Sequence, residues 1–170
     1  RVRCEDGTIA DWDGETVGEL QARGPWITGS YYNRPDAADS FTEDGWFCTG
    51  DVATLTPLGY VQISDRTKDL IKSGGEWINP TEIETVISAL PCVSQSAVIG
   101  RSDPKWGERP LLLVELREGF SPTDAELLAE LDGRVASWWI PDHVVRLPQM
   151  PLAPTGKIDK LRLRNEYCNA

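Results

Sequence analysis

Three short stretches of the sequence combine charged side chains with glycines in patterns that could bind a ligand. The first is Thr49-Gly50-Asp51, within "WFCTGDVA". An aspartate at a tight turn at the end of a strand can accept two hydrogen bonds from a vicinal diol such as ribose. An aspartate that bonds to the backbone of its own turn is the simpler interpretation of this tripeptide.

The second stretch is "DRTKDLIKSGGEW", from Asp65 to Trp77. In an extended chain Arg66, Lys68 and Lys72 lie on one face, because successive side chains alternate between the two faces of a strand. Three cations on one face suit a polyphosphate or a nucleotide. A solvated edge strand protected by its charges explains the same pattern, so both interpretations stay open.

The third stretch is "PLAPTGKIDKLRLR", in which Lys157 follows a proline-rich loop that contains Gly156. Such a loop can hold the lysine ammonium at a fixed point. It is not a phosphate-binding P-loop, since the pattern G-x-x-x-x-G-K-[ST] requires a glycine where the sequence has Pro151 and a hydroxyl residue where it has Ile158. A basic tail is the simpler alternative.

Composition places these stretches in an acidic globular protein. The 170 residues include 27 acids and 17 bases, with a net charge of −10, and 40% are hydrophobic. A broadly acidic surface argues against nucleic acid as a partner, because phosphate backbones favour clustered Lys and Arg. No apolar run approaches the length of a transmembrane segment. The sequence starts with Arg1 and resembles the interior of a fold, so we expect a fragment.

Cysteine and histidine usage predicts no metal site in these residues. The four cysteines form no C-x-x-C pair, which argues against a zinc ribbon or a thioredoxin-like site. They are expected to be reduced thiols, and we predict a cytoplasmic location. His143 is the only histidine, and we interpret it as a structural or surface residue.

The secondary-structure pattern changes near Asp65. Residues 1–65 predict short strands over "TVGELQARG", "WITGSYY", "WFCTGDVATL" and "GYVQIS", with a short helix over "RPDAADSFT". This β-rich piece would need a larger partner. Residues 66–170 alternate strands and helices and predict a compact α+β domain, in which Gly74-Gly75 forms a two-residue hairpin turn.

Two helices are predicted in the second part. Asn79, Pro80 and Glu82 suit the cap, the first position and the capping-box position of a helix over "NPTEIETVISAL". A second helix is expected over "SPTDAELLAELDGRVASWW", and strands over "VSQSAVIGR", "RPLLLVELR" and "DHVVRL".

The order of the motifs resembles the adenylate-forming superfamily, which includes acyl-CoA synthetases, peptide adenylation domains and beetle luciferases. Thr-Gly-Asp is followed by Asp-Arg-x-Lys-Asp, then by Gly-Gly-Glu-Trp before a helix, and finally by Pro-Thr-Gly-Lys. The resemblance extends across essentially the whole sequence. "GPWITGSYY", "KSGGEWI" and "DPKWGERPL" are most similar to the medium- and long-chain fatty acyl-CoA synthetase branch.

The resemblance implies an ATP-dependent acid–thiol ligase. A fatty acid carboxylate attacks ATP to give acyl-AMP and pyrophosphate, and the CoA thiol then displaces AMP. By similarity Lys157 would bridge the carboxylate and the α-phosphate, Asp51 would hold the ribose hydroxyls, and Arg66 would reach the same sugar. Lys68 would be the hinge, near residues 65–68, between the end of a large N-terminal domain and a mobile C-terminal domain.

The resemblance also assigns the glycine hairpin. Lys72, Ser73, Gly74, Gly75 and Trp77 would line the pantetheine tunnel once the mobile domain has turned. Glycines let the backbone approach a ligand closely. For the tryptophan, a place in the core is the favoured alternative.

The sequence departs from the family pattern at Cys48, where many relatives carry a basic residue. The segments that hold ATP and Mg²⁺ in the family, and the acyl tunnel, lie upstream of this sequence. We therefore expect the missing N-terminal domain to be a partner and the 170 residues alone to be inactive. The alternatives are an adenylating domain that loads a carrier protein and a non-catalytic binding module that retains the fold.

Overall fold

The computed structural model describes residues 1–168, which form two compact units. The first unit is Arg1–Lys68, and the second begins at Asp69. Both contain mainly antiparallel sheet with few helices, so the predicted α+β class is confirmed. Among the described residues, no helix combines the length and the apolar composition needed to cross a bilayer.

The first unit is built on a four-stranded antiparallel sheet whose strands follow one another in sequence order. They are β1 (Val2–Arg3), β2 (Gly18–Ala22), β3 (Phe47–Leu55) and β4 (Val61–Arg66). A 3-10 helix, Pro35–Ser40, precedes β3 at the predicted short helix. The core of this unit is small and consists of Val2, Ala10, Ala53 and Leu55.

The strand predicted over "WITGSYY" is wrong. Residues 26–32 form turns and bends, and Trp26 and Tyr32 are 95% and 98% exposed. Aromatic residues favour strands only where a neighbouring strand supplies hydrogen bonds and packing. In this unit no strand lies beside this stretch among the described residues.

The second unit contains a five-stranded sheet with three helices. Its strands are β5 (Ile71–Ser73), β6 (Glu76–Ile78), β7 (Val93–Asp103), β8 (Gly107–Leu116) and β9 (His143–Arg146). Its helices are α1 (Pro80–Ser88), α2 (Asp124–Ala129) and α3 (Lys160–Tyr167). Strand β7 pairs with one edge of β8 in antiparallel orientation. The other edge of β8 pairs first with β5, also antiparallel, and further along with β9, which is parallel to it.

Both faces of this sheet are covered, which explains the nearly continuous apolar runs of β7 and β8. Val98 and Leu112 pack with residues of α1 and α2 in one buried cluster. Their neighbours Ile99 and Leu113 point to the opposite face and pack with Leu163 of α3 in another. The sheet thus holds α3 on the face opposite α1 and α2.

Helix α1 begins as predicted. The Asn79 Oδ1 accepts a hydrogen bond from Thr81 N at 3.0 Å, and its Nδ2 donates to the Glu82 carboxylate at 3.2 Å. Ile83 and Ile87 are fully buried on the inner face. The cap and the apolar spacing therefore confirm this helix.

The second predicted helix is much shorter than expected. It spans only Asp124–Ala129 and is followed by turns and a 3-10 segment, Ser137–Trp139. Gly133 has φ +69°, a left-handed conformation that interrupts helical geometry. Leu131 is nevertheless fully buried, so its apolar spacing reflects core packing beyond the helix end.

Candidate functional site

Asp51 lies within β3 beside a bulge, and not at the end of a strand as predicted. Between two stretches of regular pairing, the three residues 49–51 of β3 oppose the single residue Leu20 of β2. Gly50 takes φ +74°, which a residue with a side chain adopts only with strain. Bulges change the direction of neighbouring side chains, so this irregular pairing with β2 determines where the Asp51 carboxylate points.

The structure brings Asp51 and Arg66 together. They are direct partners across β3 and β4, with Arg66 Nε 3.5 Å from Asp51 Oδ1. Asp51 is the more shielded of the two, at 27% exposure against 74%. Thr49 Oγ1 accepts from Asp51 N at 3.1 Å and donates to Leu20 O at 2.8 Å, which fixes the bulge. A largely shielded carboxylate beside an exposed guanidinium can bind a group with hydroxyls and negative charge.

The three cations of the second stretch do not share one strand face, so that prediction is wrong. Strand β4 ends at Arg66, residues 67–69 form a turn, and the next strand begins at Ile71. Within the first unit, Arg66 and Lys68 do line one cavity of about 320 Å³, together with the bulge. Its volume is at the lower end of small-molecule pockets.

The Gly74-Gly75 hairpin forms as predicted, between β5 and β6. Both glycines have positive φ, +61° and +94°, as a type I′ turn requires. Gly74 N donates to Trp106 O at 2.7 Å. A Cβ on Gly74 would lie 2.9 Å from the Trp106 ring, so there is no room for a side chain.

Strand β8 contacts the residues around this turn. Lys72 N donates to the Glu108 carboxylate at 3.0 Å, and Ser73 is 5% exposed. The Lys72 ammonium lies 4.7 Å from the centre of the Trp77 ring, a cation–π contact. Trp77 is half-buried at the surface of the hairpin, not in the core.

Sequence reasoning missed Arg109, which fills the gap between β5 and β9 along one edge of β8. Its Nε and Nη2 bind the Asp142 carboxylate at 2.8 and 3.1 Å. It also donates to Trp138 O at 2.6 Å and to Ile140 O at 3.0 Å, and its Nη1 lies 3.5 Å from Ser73 Oγ. These bonds lower the pKa of Asp142. An arginine beside an apolar strand was the available signal, but its partners are distant in sequence.

Lys157 stands on a short hairpin loop. Ala153 N donates to Lys157 O and Gly156 N donates to Ala153 O, both at 2.8 Å, and Leu152 bridges Ile158. Gly156 takes φ +80° at the position where such loops need a left-handed residue. The loop therefore fixes the Lys157 backbone while its side chain stays exposed.

The basic residues after this loop are not a free tail. All three lie on α3 and make ion pairs, so their charges are already matched by acids. The pairs are Lys160–Glu84, Arg162–Glu166 and Arg164–Asp69.

The remaining candidate groups show no sign of reactivity. Burial, with a smaller contribution from nearby Glu19, raises the pKa of the Cys48 thiol, which therefore stays protonated at neutral pH. All four cysteines are free and half-buried, and His143 is exposed. Within residues 1–168 no group of three His, Cys, Asp or Glu side chains is arranged to hold a metal ion.

Residues 82–157 match the family described as the AMP-binding enzyme C-terminal domain. The match runs from the first turn of α1 to the loop lysine. Over its full length the chain is 49% identical to the 3-methylmercaptopropionyl-CoA ligase of Ruegeria lacuscaerulensis. The chain belongs to the adenylate-forming superfamily. The Thermus thermophilus long-chain-fatty-acid–CoA ligase is 45% identical over 99% of this chain.

Structural comparison leads to the same superfamily. A crystal structure of ATP-bound MatB from Rhodopseudomonas palustris superposes on 99% of this chain with a TM-score of 0.86 and 32% identity. The chain spans 31% of the length of both ligases and 33% of MatB. It therefore corresponds to about a third of these relatives.

Proposed function

We propose that the protein to which this chain belongs is an ATP-dependent acyl-CoA ligase. The observation that carries the proposal is the combination of Asp51 on its bulge, Arg66 opposite it, and Lys157 on a loop with a fixed backbone. A non-catalytic module has no physical need for this combination. The CoA ligases among its relatives support the same reaction class.

In the first half-reaction a carboxylate attacks the α-phosphate of ATP, so two anions approach each other. Lys157 supplies the positive charge between them in our proposal. An ammonium held in advance stabilises developing charge without the cost of reorganising solvent, which typically contributes about 3–4 kcal/mol. The fixed loop backbone and the exposed side chain suit a lysine that must reach a ligand outside its own unit.

Asp51 and Arg66 are proposed to bind the nucleotide sugar. The Asp51 carboxylate can accept hydrogen bonds from both ribose hydroxyls, and the more exposed Arg66 can follow the ligand. Asp51 needs the bulge for this role, because a regular strand would direct its side chain differently.

Lys68 is proposed as the hinge, and the glycine hairpin as part of the pantetheine tunnel. A single residue at the division between two compact units can absorb a large φ/ψ change. The bare Gly74-Gly75 turn would let backbone contact the pantetheine, beside Lys72, Ser73 and Trp77. In this scheme the second half-reaction uses the hairpin, while the first uses Lys157.

Mg²⁺ and most of the ATP would be bound by the rest of the protein. The described residues offer no carboxylate cluster for a metal, so no step here is assigned to Mg²⁺. We accordingly predict that the 170 residues alone have no catalytic activity. A cytoplasmic location remains a prediction.

Two classes of carboxylic acid are candidate substrates. The motifs favour a medium- or long-chain fatty acid, and a long-chain ligase is 45% identical. The 3-methylmercaptopropionyl-CoA ligase is more similar, at 49%, which favours a short sulphur-containing acid as the second candidate.

The test uses the full-length protein with ATP, Mg²⁺, CoA and one acid at a time. The acids are a ladder of straight-chain fatty acids and 3-methylmercaptopropionate, and the readout is AMP that depends on both acid and CoA. A carrier-loading enzyme would instead release pyrophosphate with the acid but would not transfer the acyl group to free CoA. Absence of both products with every acid would contradict the ligase proposal and favour a binding module.

A further inference from the structure

We propose that the ion pair between Arg164 and Asp69, here called the linker clamp, confines the hinge motion to the linker, residues 67–69 around Lys68, and carries it to Lys157. The inference rests on the proposed function, because it concerns where the chain rotates when the second unit changes pose between the two half-reactions. Arg164 thereby becomes a positioning residue: it acts through the linker and does not touch the substrate.

The clamp holds the first residue of the second unit. Arg164 Nη1 lies 2.7 Å from Asp69 Oδ1, although the two residues are 95 positions apart. Asp69 directly follows the proposed hinge residue. Its side chain is only 20% exposed and that of Arg164 27%. An ion pair shielded from water in this way is screened less than one on the open surface.

A separate contact holds the chain on the other side of the hinge residue. Within the first unit, Thr67 N donates to Gly50 O at 2.9 Å, so the chain is tied to the bulge as far as Thr67. Within the second unit, the clamp ties it from Asp69 onwards. Lys68 is the one residue between these two attachments. A rotation that broke neither would have to use the backbone dihedrals between the Thr67 amide and the Asp69 Cα, a short segment centred on Lys68.

The same helix connects the clamp to the loop lysine. Asp159 caps α3 by accepting from Arg162 N at 3.0 Å, and its own N donates to Pro151 O at 2.9 Å at the base of the loop. Leu163, beside Arg164, is fully buried. Lys157 therefore lies just before α3, and Arg164 further along the same helix binds Asp69.

A second shielded ion pair on α3 provides a control for helix docking. Lys160 Nζ lies 2.8 Å from Glu84 Oε1, and both side chains are 17% exposed. This pair joins α3 to α1. On the outer face of α3, Arg162 pairs with Glu166 at 2.8 Å, with exposures of 63% and 45%. The helix thus offers three basic residues in matched pairs, of which one reaches the linker.

The experiment compares Arg164→Gln, Lys160→Met and Arg162→Gln in the full-length protein. Hydrogen exchange is followed by mass spectrometry in peptides that cover residues 69–71 and 160–167. Loss of a charged hydrogen bond should speed exchange at 69–71 by about tenfold or more in Arg164→Gln. Lys160→Met should act mainly on α3, and Arg162→Gln should leave exchange at 69–71 at the wild-type rate.

Kinetics then separate positioning from simple loss of structure. In Arg164→Gln we expect kcat of both half-reactions to fall about tenfold, with the KM for ATP nearly unchanged, because the proposed ribose contacts, Asp51 and Arg66, lie in the first unit. The charge swap Asp69→Arg with Arg164→Asp should restore most of the rate and the slow exchange at 69–71.

Unchanged exchange at residues 69–71 in Arg164→Gln would overturn the clamp, whatever the activity. An equal effect of Lys160→Met at 69–71 would also overturn it, because the linker would then respond to helix docking alone. If exchange responds only to Arg164 while wild-type protein forms no adenylate, the clamp stands and the proposed function fails.

Discussion

Two turns of the second unit, one at Gly74-Gly75 and one at Gly156, are positioned in different ways. At the β5–β6 turn, a side chain on Gly74 would meet the Trp106 ring at 2.9 Å, and neighbouring backbone bonds to β8. At the Lys157 loop, a side chain on Gly156 would meet nothing within 4 Å. The first turn is placed by distant parts of the sheet, whereas the second is placed by its own hydrogen bonds.

This difference teaches what each turn tolerates. A turn that is wedged against neighbours transmits any change in volume to them, while an open turn depends only on its backbone dihedrals. In the proposed cycle the wedged turn would line a tunnel, where shape matters, and the open turn would present a lysine that needs free space around it. Variants of the two turns test this difference, and they are given in order of decreasing expected effect.

Replacing Lys157 by alanine should have the largest effect. We expect adenylate formation to fall by about 10²- to 10³-fold, because one preorganised positive charge is lost. Thioester formation from supplied acyl-AMP should stay near the wild-type rate, since the hairpin is intact. Thr155→Ala in the same exposed loop is the control. Equal loss in both half-reactions would contradict the division of labour between the two turns.

Gly74→Ala should reverse the pattern, with a somewhat smaller effect. The added Cβ meets the Trp106 ring and the residue must keep φ +61°, so we expect a loss of about 1–3 kcal/mol in the free energy of unfolding. Thioester formation should fall more than adenylation. Chemical denaturation and the two half-reactions measure this. A side chain on Gly75 has open space, so Gly75→Ala measures only the cost of a positive φ. If it loses as much stability as Gly74→Ala, the contact with the Trp106 ring is unimportant.

Gly156→Ala should cost less than Gly74→Ala, because only the left-handed conformation at φ +80° opposes it. We expect about 1 kcal/mol in stability and a modest fall in adenylation. Gly156→Asn should recover part of both, since asparagine tolerates this conformation better than alanine. If Gly156→Ala loses as much stability as Gly74→Ala, the loop at Gly156 is not an open turn.

The smallest effect is expected from acid acting on the Arg109–Asp142 pair, which contacts the wedged turn through Ser73 and also binds the carbonyls of Trp138 and Ile140. Because the pKa of Asp142 is lowered in the folded state, its stabilisation is present above the ordinary carboxyl pKa of about 3.9 and is lost as the pH falls through the lower folded value. Wild type should be more stable than Asp142→Asn at neutral pH, and the two should converge in acid. A difference in unfolding free energy that is constant with pH would exclude this pair as its source.

Local signals made much of the fold predictable. The Gly-Gly turn, the Asn79 cap and the apolar runs of β7 and β8 each depend on neighbours within a few residues, and all three are confirmed. The superfamily could also be identified from the order of the motifs.

What failed to be predicted depends on distant parts of the chain. Helix α2 ends at Ala129, and the left-handed Gly133 prevents the helix from resuming. The helical spacing of Leu131 reflects its burial in the core and not a continued helix. The bulge at residues 49–51 exists only against Leu20 of another strand. The partners of Arg109 and Arg164 lie 33 and 95 residues away, and no spacing rule connects them.

The junction at Asp159 also has a consequence for how the second unit folds. Its backbone closes the Lys157 loop and its carboxylate starts α3, with every bond spanning eight residues or fewer. Contacts this close in sequence cost little chain entropy and form quickly. The parallel pairing of β8 with β9 must instead close a long connection. The loop and its helix can therefore assemble as a local folding unit before the sheet is complete, so the lysine would be presented in its final geometry early in folding.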